Sequence, residues 1–375
     1  MRVLFLLNAY EEDGPGLLIW RIASLLSSEE NIEISSAALS RGGPLENRFV
    51  EQNIPTHIVG MRGALDWPGY RALKHFLRQG GFDVVHTNIL RADLIGRTAA
   101  HAVRIPVIIS TEHGIHAWEH KGPFVRNLVK RFYHYTVHYT STIVAVSEYV
   151  KQSLITEGVP PEKIVRIYNG TDVMEFSPLP PEERDKLRRF ITDEPVQSTV
   201  GLVGNLVEMK GLRYFIKALP IIFKKYPECL VLVVGEGPLK EEMKQEVQSQ
   251  DFSSRVKFLG RLEQITERIV SALDVLVQPS LTESFGLTAA EALSCEVPVV
   301  ATNVGGLPEL VNDGVCGYLV EPRDHESLAA KVIDLLDHPD KRQSFGKAGR
   351  TRVMQFFQLG NTARQYLQLY KRFLE

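Results

Sequence analysis

The chain has 375 residues, of which 44% are hydrophobic and 23% charged, with 43 Lys and Arg against 45 Asp and Glu. That length exceeds one ordinary core and suits two domains, and the balance excludes a disordered chain. A formal net charge of −2 excludes a global pull toward nucleic acid.

The first stretch, MRVLFLLNAY, is apolar from Val3 to Leu7 and stops at Asn8. It reads as a first β-strand, too short for a signal segment or a membrane span. Cys229, Cys295 and Cys316 sit in apolar strings without metal-ligand spacing. They read as buried free thiols, and the expected location is the cytoplasm. Short β-rich runs then alternate with helical stretches, the pattern of parallel α/β construction. Strands are expected at 3–7, 32–37, 56–59, 83–86, 107–111, 142–146 and 164–168, and helices at 16–27, 70–78, 90–103 and 147–157. Ser147 is placed to cap the last of these helices, with Glu148 in its first turn.

Residues 177–198, SPLPPEERDKLRRFITDEPVQS, break the alternation and read as a linker. Strand signals resume at 199–204, 230–234, 256–259, 275–278 and 299–301, followed by helical patterns at roughly 324–337 and 340–372. The expected division is a doubly wound domain over 1–176, the linker, a second doubly wound domain over 199–355, and a helix over 356–375 returning to the first domain.

Ligands of doubly wound sheets bind beyond the carboxyl ends of the strands, so the loops after strands carry the functional signal. In GLVGNLVEMKGL, Lys210 stands at a helix start, where an ammonium and unpaired N–H groups suit a phosphate; an ordinary exposed lysine is the plain alternative. In VVGEGP, Gly235 and Gly237 begin a dinucleotide fingerprint, but Lys240 occupies the third glycine position. A tight turn into a helix at Pro238 fits better than a nicotinamide or flavin site. FLGRL, with Arg261 and Leu262, could meet a flat base through backbone groups. ESFGLTAAE sets Glu283 and Glu291 eight apart around Gly286, just where a helix begins. Thr288 and Glu291 also spell a capping box, the structural explanation for that second acid.

Taken in order, GNLVEMKG, LVLVVGEGP, VKFLGR and PSLTESFGLTAAEALSCEVPVVATNVGGLPELV resemble the retaining glycosyltransferases of family four. In the first half DVVHTN and VSEYVKQSLITEGVPPEKIVRIYNGTDVMEF carry the same resemblance. It implies a GT-B fold: two facing Rossmann-like domains with a cleft between them. It also implies transfer of a sugar from a nucleotide diphosphate, a UDP-sugar above others, to an acceptor hydroxyl in glycan, glycolipid or polysaccharide synthesis. By that resemblance Glu283 contacts the donor sugar and Glu291 the ribose. The backbone of Phe285, Gly286, Leu287 and Thr288 meets sugar hydroxyls and phosphate, and Lys210 holds the diphosphate. Asn205 stands where the family often has arginine, which reduces the cationic clamp by one charge. Gly14 and Gly16 in EEDGPG correspond loosely to the family's first glycine-rich loop, a plain strand-to-helix turn being the alternative. His113 matches the histidine set over the donor sugar, with His116 its nearest rival. No Asp-x-Asp metal motif occurs, so no cofactor or metal is expected.

The stretch His113–His138 holds five of the eleven histidines, with Lys121, Arg126, Lys130 and Arg131 against one acid, Glu119. Its apolar residues at 124, 125, 128, 129, 132, 133, 136 and 137 form a helical stripe. Either that stripe packs on its own sheet beneath a solvated basic face, or the segment is a patch for phosphorylated or lipid-linked acceptors and for peripheral contact with an anionic membrane at its inner face. Two other functions stay open: a nucleotide-sugar epimerase of the same architecture, and a sugar-nucleotide binding protein without catalysis.

Overall fold

A computed structural model describes residues 1–114, 122–262 and 266–375. The chain forms two compact units, Met1–Gly170 with Leu359–Glu375, and Thr171–Gln358. His116 and Lys121 lie outside the described residues.

In unit 1, β1 (Arg2–Leu7), α1 (Gly14–Ser27), β2 (Glu33–Ala38), α2 (Pro44–Glu51), β3 (Thr56–Ile58), α3 (Trp67–Gly80) and β4 (Val84–Asn88) come first. They are followed by α4 (Leu90–Ala102), β5 (Val107–Glu112), α5 (Pro123–Val137), β6 (Thr142–Ala145), α6 (Glu148–Thr156) and β7 (Ile164–Arg166). The seven strands form one parallel sheet in the order β3-β2-β1-β4-β5-β6-β7. Runs such as VLFLL bury both faces of a strand, which only a sheet covered by helices on each side allows. As expected, Ser147 caps α6 by accepting the Val150 N–H at 3.1 Å. Strand β4 is the exception to an apolar interior: His86, Thr87 and Asn88 are all buried at its carboxyl end.

Unit 2 begins with the stretch read as a linker. Residues 177–198 hold α7 (Pro181–Ile191), whose Arg184 and Arg188 reach the buried Asp274 at 3.2 and 2.8 Å. Proline and charge density there mark a helix start and a polar helix, while the chain passes between the units at 170–171 and 358–359. Next come β8 (Ser198–Val203), α8 (Leu212–Lys225), β9 (Cys229–Val234), α9 (Lys240–Gln248), β10 (Val256–Gly260), α10 (Thr266–Ser271) and β11 (Val275–Gln278). Then follow α11 (Leu287–Ser294), β12 (Val299–Thr302), α12 (Leu307–Leu310), β13 (Gly317–Val320), α13 (His325–Asp337) and α14 (Pro339–Phe356). The sheet is parallel, in the order β10-β9-β8-β11-β12-β13. Its last strand escapes the sequence reading because GYLV is only four residues long and lacks alternation.

The final helical pattern is two helices. After α14, α15 (Leu359–Leu374) joins unit 1 and packs beside α1. At the break the Thr171 N–H donates to the Phe357 carbonyl at 2.8 Å, so the two crossing segments pair where the helix stops.

Helix α5 departs from the inward stripe. Tyr133, Thr136 and Val137 are buried, but Phe124, Val125, Leu128, Phe132 and Tyr135 are exposed. No described helix is long and apolar enough to cross a membrane.

Candidate active site

The sheet of unit 2 changes winding direction between β8 and β11, with β9 and β10 on one side and β12 and β13 on the other. Loops leaving such a pair of strands diverge and open a crevice at their carboxyl ends. Lys210 follows β8 and Glu283 follows β11, so both come from that point.

Close backbone packing brings the two together. Gly211 has φ +68° and lies so near the Pro279 carbonyl that a Cβ would sit 1.8 Å from its oxygen. The Leu281 N–H donates to the Met209 carbonyl at 2.8 Å, tying the same loops. Lys210 Nζ then stands 2.6 Å from Glu283 Oε2. That oxygen also accepts from Gln278 Nε2 at 2.8 Å and from Ser280 Oγ at 3.3 Å. Among the described residues all three donors converge on Oε2 and none reaches Oε1. From the other side, Gly306 N–H donates to the Glu283 carbonyl at 3.0 Å, and a Cβ on Gly305 would fall 1.7 Å from that carbonyl oxygen. Glu283 is thus gripped by loops from three strands.

Helix α11 starts directly after this acid. Its cap is Gly286, with φ +102°, a conformation that side chains rarely adopt, and a Cβ there would also meet Leu307 at 2.7 Å. The glycine is therefore demanded by the chain's own turn. The expected capping box does not form: the helix begins at Leu287, which puts Thr288 inside the first turn, and no side chain caps it. The first amides of α11 are left facing the crevice end of the helix, as any helix start leaves them. Phe285 turns its ring into the core, 5.6 Å from the Phe357 ring, so its backbone is the part near the loop surface. Glu291 lies in the second turn, half-buried.

The remaining residues of this half sit around that center. Asn205 is exposed just beyond β8, and its carbonyl accepts the Val207 N–H at 3.0 Å. Arg261, exposed, and Leu262 follow β10, the outer strand of the sheet. The two glycines of VVGEGP have a local reason: a Cβ on Gly235 would lie 1.9 Å from the Gly204 carbonyl oxygen, and one on Gly237 2.3 Å from that of Leu206. Helix α9 begins at Lys240, two residues beyond Pro238, so that proline does not open it.

In unit 1, Gly14 and Gly16 lie in the first turn of α1, where Asp13 caps the Gly16 N–H at 2.7 Å. A Cβ on Gly16 would come 2.4 Å from the Glu11 carbonyl oxygen, so a plain turn already requires a glycine there. His113 follows β5. Its Nε2 lies 3.1 Å from Asn88 Oδ1, while Asn88 Nδ2 donates to the His86 carbonyl at 3.2 Å. A backbone carbonyl can only accept, so the amide nitrogen faces it and the amide oxygen faces His113. The His113 proton therefore sits on Nε2 and Nδ1 carries a lone pair. That Nδ1 is sealed from solvent without a partner among the described residues. Burial lowers the His113 pKa to about 4, so the ring is neutral near pH 7.

Behind this histidine lies a fully buried polar cluster. Arg97 donates to Ser110 Oγ at 2.7 Å and to Glu112 Oε1 at 3.4 Å, and its guanidinium lies 4.7 Å from the Tyr133 ring center. Asp93 is 3.8 Å from Arg97 and accepts from Thr87. Two acids share one cation here. Burial, followed by the charge of Asp93, pushes the Glu112 pKa up to about 7. Sequence reasoning missed Gln278, Ser280 and Asn88. A glutamine ending the otherwise apolar VLVQ was the available signal for the first.

The residues 14–175 match the model of the Glycosyltransferase Family 4 domain, and 183–352 match that of the Glycosyl transferases group 1 domain. The chain is 28% identical over 289 residues to the UDP-Gal:alpha-D-GlcNAc-diphosphoundecaprenol alpha-1,3-galactosyltransferase of Escherichia coli, covering 76% of this chain and 74% of that one. It is 25% identical to the alpha-maltose-1-phosphate synthase of Mycolicibacterium smegmatis, over 99% of both chains. A GDP-mannose-dependent mannosyltransferase of Corynebacterium glutamicum is 34% identical over 193 residues, 49% of this chain and 50% of its own. In fold, the chain superposes on Anabaena HepE in complex with UDP-glucose with a TM-score of 0.87, at 23% identity, over 99% of this chain and 100% of that one. Both matched models describe transferases, which leaves the epimerase reading without support. One model fits each of the two Rossmann-like units, and the chain belongs to the family-four glycosyltransferases with the GT-B fold.

Proposed function

We propose that this glycosyltransferase moves a sugar from a nucleotide-diphosphate sugar, a UDP-sugar, to an acceptor hydroxyl with retention at the anomeric carbon and without a metal ion. The observation that carries the proposal is the Lys210–Glu283 pair at the switch point of unit 2, immediately before the α11 amino end. A diphosphate laid across that helix start meets amide N–H groups and the positive end of the helix dipole, with an ammonium beside it. Those groups supply positive charge to the leaving diphosphate without a cation. Asn205 brings none, so Lys210 carries more of that task.

Glu283 Oε2 is occupied by its three donors, and Oε1 is oriented by them to accept from a sugar hydroxyl. Glu291 accepts from the ribose. His113 uses its Nδ1 lone pair for a further sugar hydroxyl rather than acting as a base. In the transfer the bond from the anomeric carbon to the β-phosphate oxygen breaks, and the acceptor oxygen bonds to the same face. The acceptor proton passes to the departing phosphate oxygen. The UDP preference is supported by the E. coli relative's named donor, and the mannosyltransferase relative makes GDP-mannose the competing choice.

The test is a melting screen against UDP-, GDP- and ADP-sugars, followed by transfer assays with the stabilizing donor. A donor at a hundred times its dissociation constant adds about 2.7 kcal/mol of stability. The expected outcome is stabilization by a UDP-sugar, an α-linked product from an α-linked donor, and activity indifferent to EDTA. Glu283→Ala should abolish transfer while UDP still binds, which would dispose of the reading as a binding protein alone. No stabilization by any of the three nucleotide classes would refute the donor site.

A further inference from the structure

Helix α15 joins unit 1 although it follows α14 of unit 2 in the chain. Its Tyr366 and Tyr370 are four residues apart and so project from one side of the helix. Both are buried, and both hydroxyls reach the sheet. Tyr370 Oη lies 2.6 Å from His86 Nδ1, His86 Nε2 lies 2.7 Å from Thr111 Oγ1, and Thr111 Oγ1 lies 3.1 Å from Tyr366 Oη. The bonds thus leave α15 at one tyrosine and return to it at the other. Aromatic rings enclose His86, with Tyr366 and Phe5 at 5.2 Å and Tyr370 at 5.8 Å. Burial holds the His86 pKa at about 3, so the ring is neutral, and one nitrogen donates while the other accepts.

This network stands at the carboxyl ends of β4 and β5, just before the residues that hold His113. Side chains alternate between the faces of a strand, so Asn88 shares the face of His86. Thr87, Ser110 and Glu112 point the other way, into the Arg97 cluster. Asn88 is paired in register with Thr111. The His86 carbonyl accepts from Asn88 Nδ2 at 3.2 Å, and Asn88 Oδ1 faces His113 Nε2 at 3.1 Å. Each strand therefore carries a residue bonded by the network and, two positions on, one member of the Asn88–His113 pair.

Seating the helix does not call for hydroxyls. Leu359, Ala363, Leu367 and Leu369 of α15 are also buried, so apolar surface already packs it. A hydroxyl sealed in a core gains little net stability, because its bond mainly offsets its own desolvation. What the two hydroxyls add is direction: they fix the angle of the His86 ring and the place of Thr111 beside it.

We propose that Tyr366 and Tyr370 are positioning residues for His113. By holding His86 and Thr111 they set the strand ends from which Asn88 presents its amide oxygen to the histidine. They touch no substrate themselves. The proposal rests on the reading of His113 as a residue that meets the donor sugar, while the network itself belongs to unit 1 alone.

The experiment compares the full chain as wild type, Tyr370→Phe, Tyr366→Phe and Leu367→Ala. The last loosens α15 without removing a hydrogen bond. Four quantities are measured: melting temperature, UDP affinity by calorimetry, kcat with the stabilizing donor, and the His113 ring-nitrogen signals by NMR. Tyr370→Phe should shift those signals and lower kcat roughly tenfold or more, the scale of a small misplacement transmitted from outside the site. UDP affinity should not change. Tyr366→Phe should act in the same direction but less, and it carries the test should Tyr370→Phe not fold. Leu367→Ala should lower the melting temperature while leaving kcat and the His113 signals as in wild type. Unshifted His113 signals in both tyrosine variants overturn the proposal. So does an equal loss of kcat in Leu367→Ala, which would mean that α15 matters only as packing. Absence of UDP binding in the wild type would instead fault the donor-site reading, and the ring signals would still decide the role of the tyrosines.

Discussion

Lys210 Nζ and Glu283 Oε2 are 2.6 Å apart, on loops that leave adjacent strands of opposite winding. The pair holds the lysine ammonium beside the carboxylate, and with Gln278 and Ser280 it fixes which carboxylate oxygen remains for a ligand. Replacing Lys210 with alanine should therefore lower kcat by about 10²–10³-fold, the scale of losing one donor to a developing oxyanion. Lys210→Arg should recover part of it. Steady-state kinetics with a saturating donor would check this, and a variant that altered KM alone would show that the lysine only binds.

Gln278 and Ser280 aim Glu283 without needing to touch a ligand. Gln278→Leu removes one donor at 2.8 Å from Oε2. It should weaken donor binding or transfer by about tenfold, the cost of one hydrogen bond to a charged group. Calorimetric titration with the nucleotide and separate rate measurements would show where the loss falls.

Asn88 sets the His113 tautomer through its amide oxygen, 3.1 Å from Nε2. In Asn88→Leu nothing holds the proton on Nε2, and the lone pair at Nδ1 is no longer guaranteed. Activity should fall by about tenfold or more, with the melting temperature only modestly lower. The histidine ring nitrogens in NMR spectra report the tautomer directly, and an unchanged pattern would contradict the assignment.

The buried titrating groups of unit 1 oppose one another. His113 is held at about 4 and His86 at about 3, both below 6.5, chiefly by burial. As pH falls from 6.5 the unfolded chain gains protons that the folded chain refuses, so stability declines toward pH 4. Glu112, raised from 4.5 to about 7, has the reverse sign: its contribution is complete below 4.5 and is lost as pH rises through 7. Melting between pH 4 and 8 should therefore show a shallower acid decline in His113→Gln and a steeper one in Glu112→Gln. Parallel curves for all three proteins would contradict these shifts.

Arg97 is fully buried between Asp93 and Glu112. Arg97→Met leaves two acids inside with no cation and should destabilize unit 1 by about 3–5 kcal/mol. Chemical denaturation would measure it, and a loss below about 1 kcal/mol would mean that the acids are neutral in the native protein.

The alternation of strands and helices could be read from the residues because buried parallel strands are written as continuous apolar runs. Lys210 and Glu283 were visible as charges at strand ends. Their contact was not, because it depends on Gly211 passing beneath Pro279, a long-range approach with no local pattern. Gly286 was seen as a glycine suited to a ligand, whereas the structure shows a positive φ and the Leu307 side chain already requiring it. The capping box failed for a related reason: a glycine in the left-handed region starts α11 two residues before Thr288. For α5, periodicity gave the helix but left its orientation open, since an apolar arc has the same spacing whether it faces a sheet or the outside.

Tyr370 and Tyr366 of α15 bond to His86 and Thr111 at 2.6 and 3.1 Å, deep within a unit whose strands all end before residue 170. During synthesis those partners emerge from the ribosome only after all of unit 2. Until then His86 and Thr111, 2.7 Å apart, have each other but lack the two tyrosine hydroxyls. The half translated first should consequently be the one that finishes folding last, and a fragment stopping at residue 170 should need α15 supplied as a separate peptide to become fully ordered.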